Sequence, residues 1–257
     1  MAIVTQRIAE RPRDYVRVAG PDAEDFLQRM VSNDVSTDVC EALLLTPKAR
    51  VIAPLVVVRH APDDFLLLTE PGLGEVVRAT LMRTRFAAKV EIEVEQHRSV
   101  VVLGERKGGI PNLDYGEPAV ELLDSDLEAT VADDELERRR IEAGTPAWGK
   151  EIDDRVLPAE AGLTERAVSF TKGCYPGQEP IARLHHRGHV NRRLRVLELE
   201  SAEPGDEVVY GEKVVGRVTS AVPGRALAYV RIEVPEDAEL RVGDAPARPL
   251  DLTSARP

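Results

Sequence analysis

The sequence predicts an α+β chain with an antiparallel sheet, followed by a small all-β unit. Three observations carry this. Short Val- and Leu-rich runs bounded by turn residues mix with amphipathic helical segments through the first part of the chain. "VEIEVEQ" alternates strictly through Val90, Ile92 and Val94, the period of a half-buried strand. From Leu194 the character changes to short strands interrupted by Pro204-Gly205, Gly211 and Pro223-Gly224, the pattern of a barrel or sandwich.

Taken in order, "YVRVAGPDAEDFLQRMVSNDV" reads as a strand and then a helix. Pro21 suits the first helical position, acids load the first turn, and Phe26, Leu27, Met30 and Val31 form an apolar face. "ALLLTPKARVIAPLVVVRH" holds two strand-like runs around Thr46-Pro47-Lys48, and "DDFLLLTE" a third. "LGEVVRATLMRTRF" is amphipathic through Leu73, Val76, Val77, Thr80 and Leu81, and "SVVVLG" is a further strand. Residues 110–123, with Pro111, Asn112, Gly116 and Pro118, read as loop-rich. "DDELERRRIEAG" is a helix with acids at its start, arginines near its end and Gly144 as its stop. The strands "LRVLELE", "DEVVY", "KVVGRVTSAV" and "RALAYVRI" complete the chain. A boundary near Asn191 divides residues 1–191 from a β domain at 192–257.

Composition sets limits. The length of 257 residues fits one large or two to three small units, at roughly 100–200 residues per domain. No apolar run approaches the ~20 residues that span a bilayer. The start, "MAIVTQRIAERPRDY", lacks the apolar stretch of a signal peptide. A cytoplasmic protein without membrane attachment is the expectation. Two cysteines make no disulfide framework and are too few for an iron–sulfur cluster, which normally takes four. A net charge of −11 argues against wholesale nucleic-acid binding.

The chemistry concentrates in "FTKGCYPGQEP", residues 170–180. Pro176-Gly177 signals a type II turn, and Tyr175 and Glu179, each before a proline, favour extended conformations. In an extended stretch, Lys172 and Cys174 share a face, and an ammonium there favours the thiolate. A buried structural cysteine in a tight turn fits the same residues. Cys40 reads as a packed residue without ligand-type neighbours. Downstream, "RLHHRGHVNRRLR" carries Arg183, Arg187, Arg192, Arg193 and Arg195 with no acid, a candidate anion site or else a solvated, salt-bridging face. Zinc held by Cys174, His185 and His189 lacks a clear fourth ligand. Glu142 falls at a helix end, where the dipole disfavours a carboxylate without a partner. It is a candidate for a ligand's amino group, or for a salt bridge to Arg139 or Arg140.

"KGCYPGQEPIARLHHRGHVNRRL" closely resembles the K-G-C-[YF]-x-G-Q-E signature of YgfZ-type folate-binding proteins. These are related to the T-protein (aminomethyltransferase) of the glycine cleavage system and linked to maintenance of iron–sulfur enzymes. "DAEDFLQRMVSNDV", "ALLLTPKARVIAPLVVV", "DDFLLLTEPG" and "RRRIEAGTPAWGKEIDDRVLPAEAGL" resemble successive blocks of the same family. The resemblance implies a three-lobed T-protein-like fold with a ferredoxin-like antiparallel sheet lobe, a C-terminal β-barrel, and tetrahydrofolate or a one-carbon derivative as ligand. By position, Cys174 and Lys172 match the functional signature, Glu142 the pterin-contacting glutamate, and Tyr175, Gln178, Arg183 and Arg187 further candidate ligand contacts. Iron–sulfur client proteins are the implied partners. T-proteins carry an Asp-Asp-Leu segment on an early strand, whereas this chain has Ala53-Pro54, which can neither take a proton nor stabilise an iminium. A folate-dependent accessory factor is therefore the leading reading. A one-carbon transferase and an RNA or acidic-partner binding module are its rivals.

Overall fold

The computed structural model describes residues 6–250, so the first five residues of the stretch read above for a leader lie outside it. β1 (Arg7–Glu10) leads to β2 (Asp14–Ala19) and helix α1 (Ala23–Met30). The helix buries Phe26, Leu27 and Met30 as expected, but Pro21 lies in the preceding turn and Asp22 takes the N-cap position. β3 (Val39–Leu45), β4 (Val51–Ala61) and β5 (Asp64–Thr69) follow, then α2 (Gly74–Thr84). α2 buries Val77, Thr80 and Leu81, whereas Val76, at the margin of the expected apolar stripe, is 43% exposed.

β6 (Glu91–Glu95) and β7 (Ser99–Leu103) were legible as strands. β8 (Ile110–Asn112) and β9 (Ala119–Leu123) occupy the stretch expected to be loop-rich. β8 is an edge strand, where Pro111 removes no central ladder bond. α3 (Asp133–Glu142) has its acids and arginines at the expected ends and stops at Gly144, φ 70°. α4 (Thr164–Ala167) and α5 (Gln178–Arg187) precede β10 (Arg192–Leu199), β11 (Glu207–Tyr210), β12 (Lys213–Val222), β13 (Arg225–Arg231), β14 (Leu240–Val242) and β15 (Ala245–Leu250).

These elements form two compact units. One comprises Pro12–Ser99 and Asp153–His189. Its five-stranded antiparallel sheet has the order β3-β4-β5-β2-β6, with α1 and α2 among its connections. Within it, β2, β4, β5 and β6 give the ferredoxin-like order, and β3 extends one edge. Pro54 lies in β4 just beyond the end of its pairing with β5, where a missing N–H leaves no ladder bond broken. Its carbonyl accepts from the Thr69 hydroxyl at 2.8 Å.

The other unit joins the N-terminal segment up to Arg11, Val100–Ile152, and the chain from Val190 onward. It holds a sheet of order β1-β7-β9-β8 and a closed barrel running β10-β13-β12-β11-β14-β15. The barrel-or-sandwich alternative thus resolves to a barrel, closed by β14 and β15. These two strands escape sequence reading because one is three residues long and the other carries two prolines. Leu197, Val208, Val218, Ala228, Val230 and Leu240 fill its interior.

α3 is fixed to the barrel in two ways. Ile141, fully buried, packs on Val196 and Leu227. At the residue before it, the Arg140 guanidinium is buried among acceptors: Glu137, Glu151 Oε2 at 3.0 Å, the Thr145 carbonyl and Ser220 Oγ at 2.9 Å. Ser220 in turn donates to Glu151 Oε1 at 2.6 Å, and Tyr229 donates to the Glu151 carbonyl at 2.8 Å. The β12–β13 register shifts between Val218 and Ser220, and such a bulge re-aims side chains. Burial pushes the Glu137 carboxyl up, but hydrogen bonds and charge from Arg140 and Lys150 outweigh this and hold it at about 2.

Arg140→Met leaves Glu151 buried without its cation and should cost ~3–5 kcal/mol in chemical denaturation. Arg138→Met, which breaks the exposed pair with Glu142, should cost about 0–1 kcal/mol. The Glu137 carboxyl is depressed in the folded state, so its contribution is full above the ordinary carboxylate range and is lost as pH falls towards about 2. Glu137→Gln should flatten that part of the stability–pH profile; an unchanged acid limb would remove Glu137 as its source.

Candidate functional site

The motif is built on a turn. Pro176 and Gly177 occupy its centre, with Gly177 at φ 85°, ψ 0°, the third-position geometry of type II, and Gln178 N–H donates to the Tyr175 carbonyl at 3.3 Å. A Cβ on Gly177 would lie 2.8 Å from the Thr46 carbonyl oxygen, so the site excludes any larger residue. Gly177 is also the N-cap of α5. The expectation of an extended Glu179 fails here: Pro180 sits in the first helical turn, where its missing N–H has no intrahelical role.

Lys172 ties this segment to the end of α1. Its Nζ donates to the carbonyl of Val31, the C-cap of α1 (2.8 Å), and to that of Asn33 in the segment that follows (2.7 Å). The ammonium also lies 5.5 Å from the centroid of the Tyr175 ring. Burial pushes the amine down to about 8, against the opposing charges of Asp34 and the Cys40 thiol. The charged partner that the fold gives Lys172 is therefore Asp34, whereas the shared-face argument had paired it with Cys174.

The two thiols differ in kind. Cys174 is exposed, on the segment entering the turn. Cys40, in β3, is only partly accessible, and burial pushes its thiol up to about 11. Thr37 and Lys172 stand beside it, polar neighbours that the sequence did not announce. Tyr175 is 7% exposed, and burial holds its phenol up at about 12.

Gln178, Arg183 and Arg187 all ride on α5. Arg183 pairs with Glu179 one turn earlier at 2.8 Å, both side chains largely in solvent. Arg187 is exposed in the last turn beside His185 and His186, where cations complement the dipole. The His185 ring stacks on Phe170 at 4.2 Å, with His186 set edgewise to His185 at 5.0 Å. Among the described residues, no group of three or more His, Cys, Asp or Glu is placed to hold a metal ion. In the other unit, Arg195 donates to the carbonyls of Val234 and Pro235, and Arg192 covers the Tyr229 ring at 4.4 Å.

Glu142 belongs to that other unit as the last residue of α3. Its salt-bridge partner is Arg138, at 3.6 Å, instead of the expected Arg139 or Arg140, which serve Glu117, Glu135, Glu137 and Glu151. With a long contact and 45% side-chain exposure, the Glu142 carboxylate retains acceptor capacity. In β4, Ala53 is fully buried, and neither it nor Pro54 supplies an acid.

Comparison with known proteins agrees with this picture. Residues 191–254 match the family model described as CAF17, C-terminal beta-barrel domain. An uncharacterized protein of Haemophilus influenzae is 28% identical over 253 residues, covering 91% of this chain and 90% of that protein. The mouse mitochondrial iron–sulfur cluster assembly factor IBA57 is 27% identical over 257 residues, covering 83% of this chain and 72% of its own. The glycine cleavage system aminomethyltransferase T of Bartonella henselae superposes with a TM-score of 0.83 over 98% of this chain and 87% of its own. At 19% identity, that match establishes the fold. The chain thus has the aminomethyltransferase fold, a C-terminal barrel that matches the CAF17 domain model, and a sequence similar to IBA57 over most of its length.

Proposed function

We propose that this protein binds a reduced folate and supports the assembly or repair of iron–sulfur proteins, with Cys174 as its working thiol. The observation that carries the reading is the continuous likeness to IBA57, named as an iron–sulfur cluster assembly factor, over 83% of the chain. The aminomethyltransferase fold supports a folate ligand. Glu142, half exposed and only loosely paired, would accept from the pterin amino group. The folate would supply a one-carbon carrier. The chain itself contributes an exposed thiol, a turn that fixes its place, and a lysine that anchors the turn to α1.

A one-carbon transferase of T-protein type finds less support. The position expected to carry an acid is a buried alanine followed by a proline whose carbonyl is engaged by Thr69. The arginine-rich segment favours no nucleic-acid reading either, because Arg183, Arg192 and Arg195 already have partners within the protein.

Calorimetric titration with tetrahydrofolate should give saturable binding, weakened at least about tenfold (1.4 kcal/mol) by Glu142→Ala. Unchanged affinity in that variant would take Glu142 out of the folate site. A thiol alkylating agent at neutral pH should label one cysteine rapidly, and Cys174→Ser should abolish that phase, because Cys40 is both sheltered and held protonated. In a strain lacking the gene, Cys174→Ser should bind folate yet fail to restore iron–sulfur enzyme activity. Full restoration would remove the thiol from the mechanism.

A further inference from the structure

Helix α2 ends on a residue that its local geometry does not favour. Arg85 is the C-cap, and the next residue, Phe86, takes φ 46° in the left-handed region. That position normally falls to glycine, because a side chain there crowds the backbone. Phe86 gains nothing from burial in return, for it is 91% exposed. Met82, one turn earlier on the helix, is 39% exposed, and Val76 on the same helix is 43% exposed. Between Glu75, which pairs with Arg78 at 2.9 Å, and Glu91, the segment carries Arg83, Arg85 and Lys89 and no acidic residue, in a chain whose net charge is −11. Phe86 lines a cavity of 710 Å³ together with Gly20, Pro21, Ala87, Arg85, Lys89 and one acid, Glu91.

We propose that the end of α2 and the loop into β6 form a docking surface for an acidic segment of a partner protein, with Phe86 as the apolar anchor. The costly backbone conformation, the exposed ring and the local excess of cations have one occupant in common: a chain that offers carboxylates to the arginines and an apolar side chain to Phe86 and the cavity. Aromatic residues, Met and Arg are enriched at protein interfaces relative to the rest of the surface. This surface lies on residues other than those of the folate reading, and its test is separate from that reading.

The full-length protein is titrated with a short capped peptide of glutamates around a central Leu-Phe pair, and with the same peptide carrying lysines. The glutamate peptide should bind and protect residues 82–91 from hydrogen exchange, while the lysine peptide should not. Phe86→Ser and Arg83→Glu should each weaken binding at least tenfold. Phe86→Gly should raise Tm, by relieving the left-handed strain, while losing the peptide. That combination separates a residue kept for binding from one kept for stability. The proposal is overturned by equal binding of both peptides, by protection elsewhere in the chain, or by Phe86→Gly that leaves peptide affinity unchanged. It is likewise overturned by Phe86-dependent binding to phosphatidylglycerol vesicles in place of the peptide, or by Phe86-dependent self-association in sedimentation.

Discussion

A buried guanidinium organises the unit that carries the barrel. Arg140 is 8% exposed, and its donors reach two carboxylates, a carbonyl and a hydroxyl drawn from α3, the segment after it and β12. A charge taken out of water is tolerated only where its hydrogen-bonding capacity is met, so this contact admits few alternative placements of the helix on the barrel. Glu142 lies two residues further along the same helix. Its position therefore follows from a contact that a ligand need never touch.

The other unit applies the same logic at lower cost. Lys172 does for the cysteine segment what Arg140 does for α3, but with one ammonium on two carbonyl oxygens at the end of α1. Ser32 strengthens the same corner: its hydroxyl donates to the Ala167 carbonyl and accepts from the Leu43 N–H at 2.8 Å. Residues far apart in sequence thus meet around the end of one short helix. The thiol of Cys174 projects from a frame whose other members are fixed.

Much of the architecture was legible because local signals agreed with the final fold. The acids, arginines and glycine of α3 marked both its ends, and the Pro-Gly turn before α5 took the geometry its residues dictate. The misreadings came from prolines judged without their context. Pro180 hid a helix by occupying its first turn, and Pro111 hid an edge strand. The partners of Lys172 and the burial of Glu151 carried no local signal. The first contact spans 141 residues of sequence, and the second depends on a serine placed by a bulge in the barrel. Candidate residues could be named from the motif, whereas the reason each stands where it does belongs to tertiary structure.

The division of the chain bears on its synthesis. β1 pairs antiparallel with β7, Arg7 opposite Leu103, so β1 must wait for nearly the whole neighbouring sheet to be made before it has that partner. The unit containing β2 to β6 also stays incomplete until residues 153–189 arrive, and these include the cysteine motif. Pairings this distant close large loops before they yield contacts, which slows folding and leaves strand edges open in the interval. The nascent chain thus has its longest exposure to misassembly just before the motif emerges, and a chain cut short ahead of Asp153 would lack both the thiol and the segment that completes its unit.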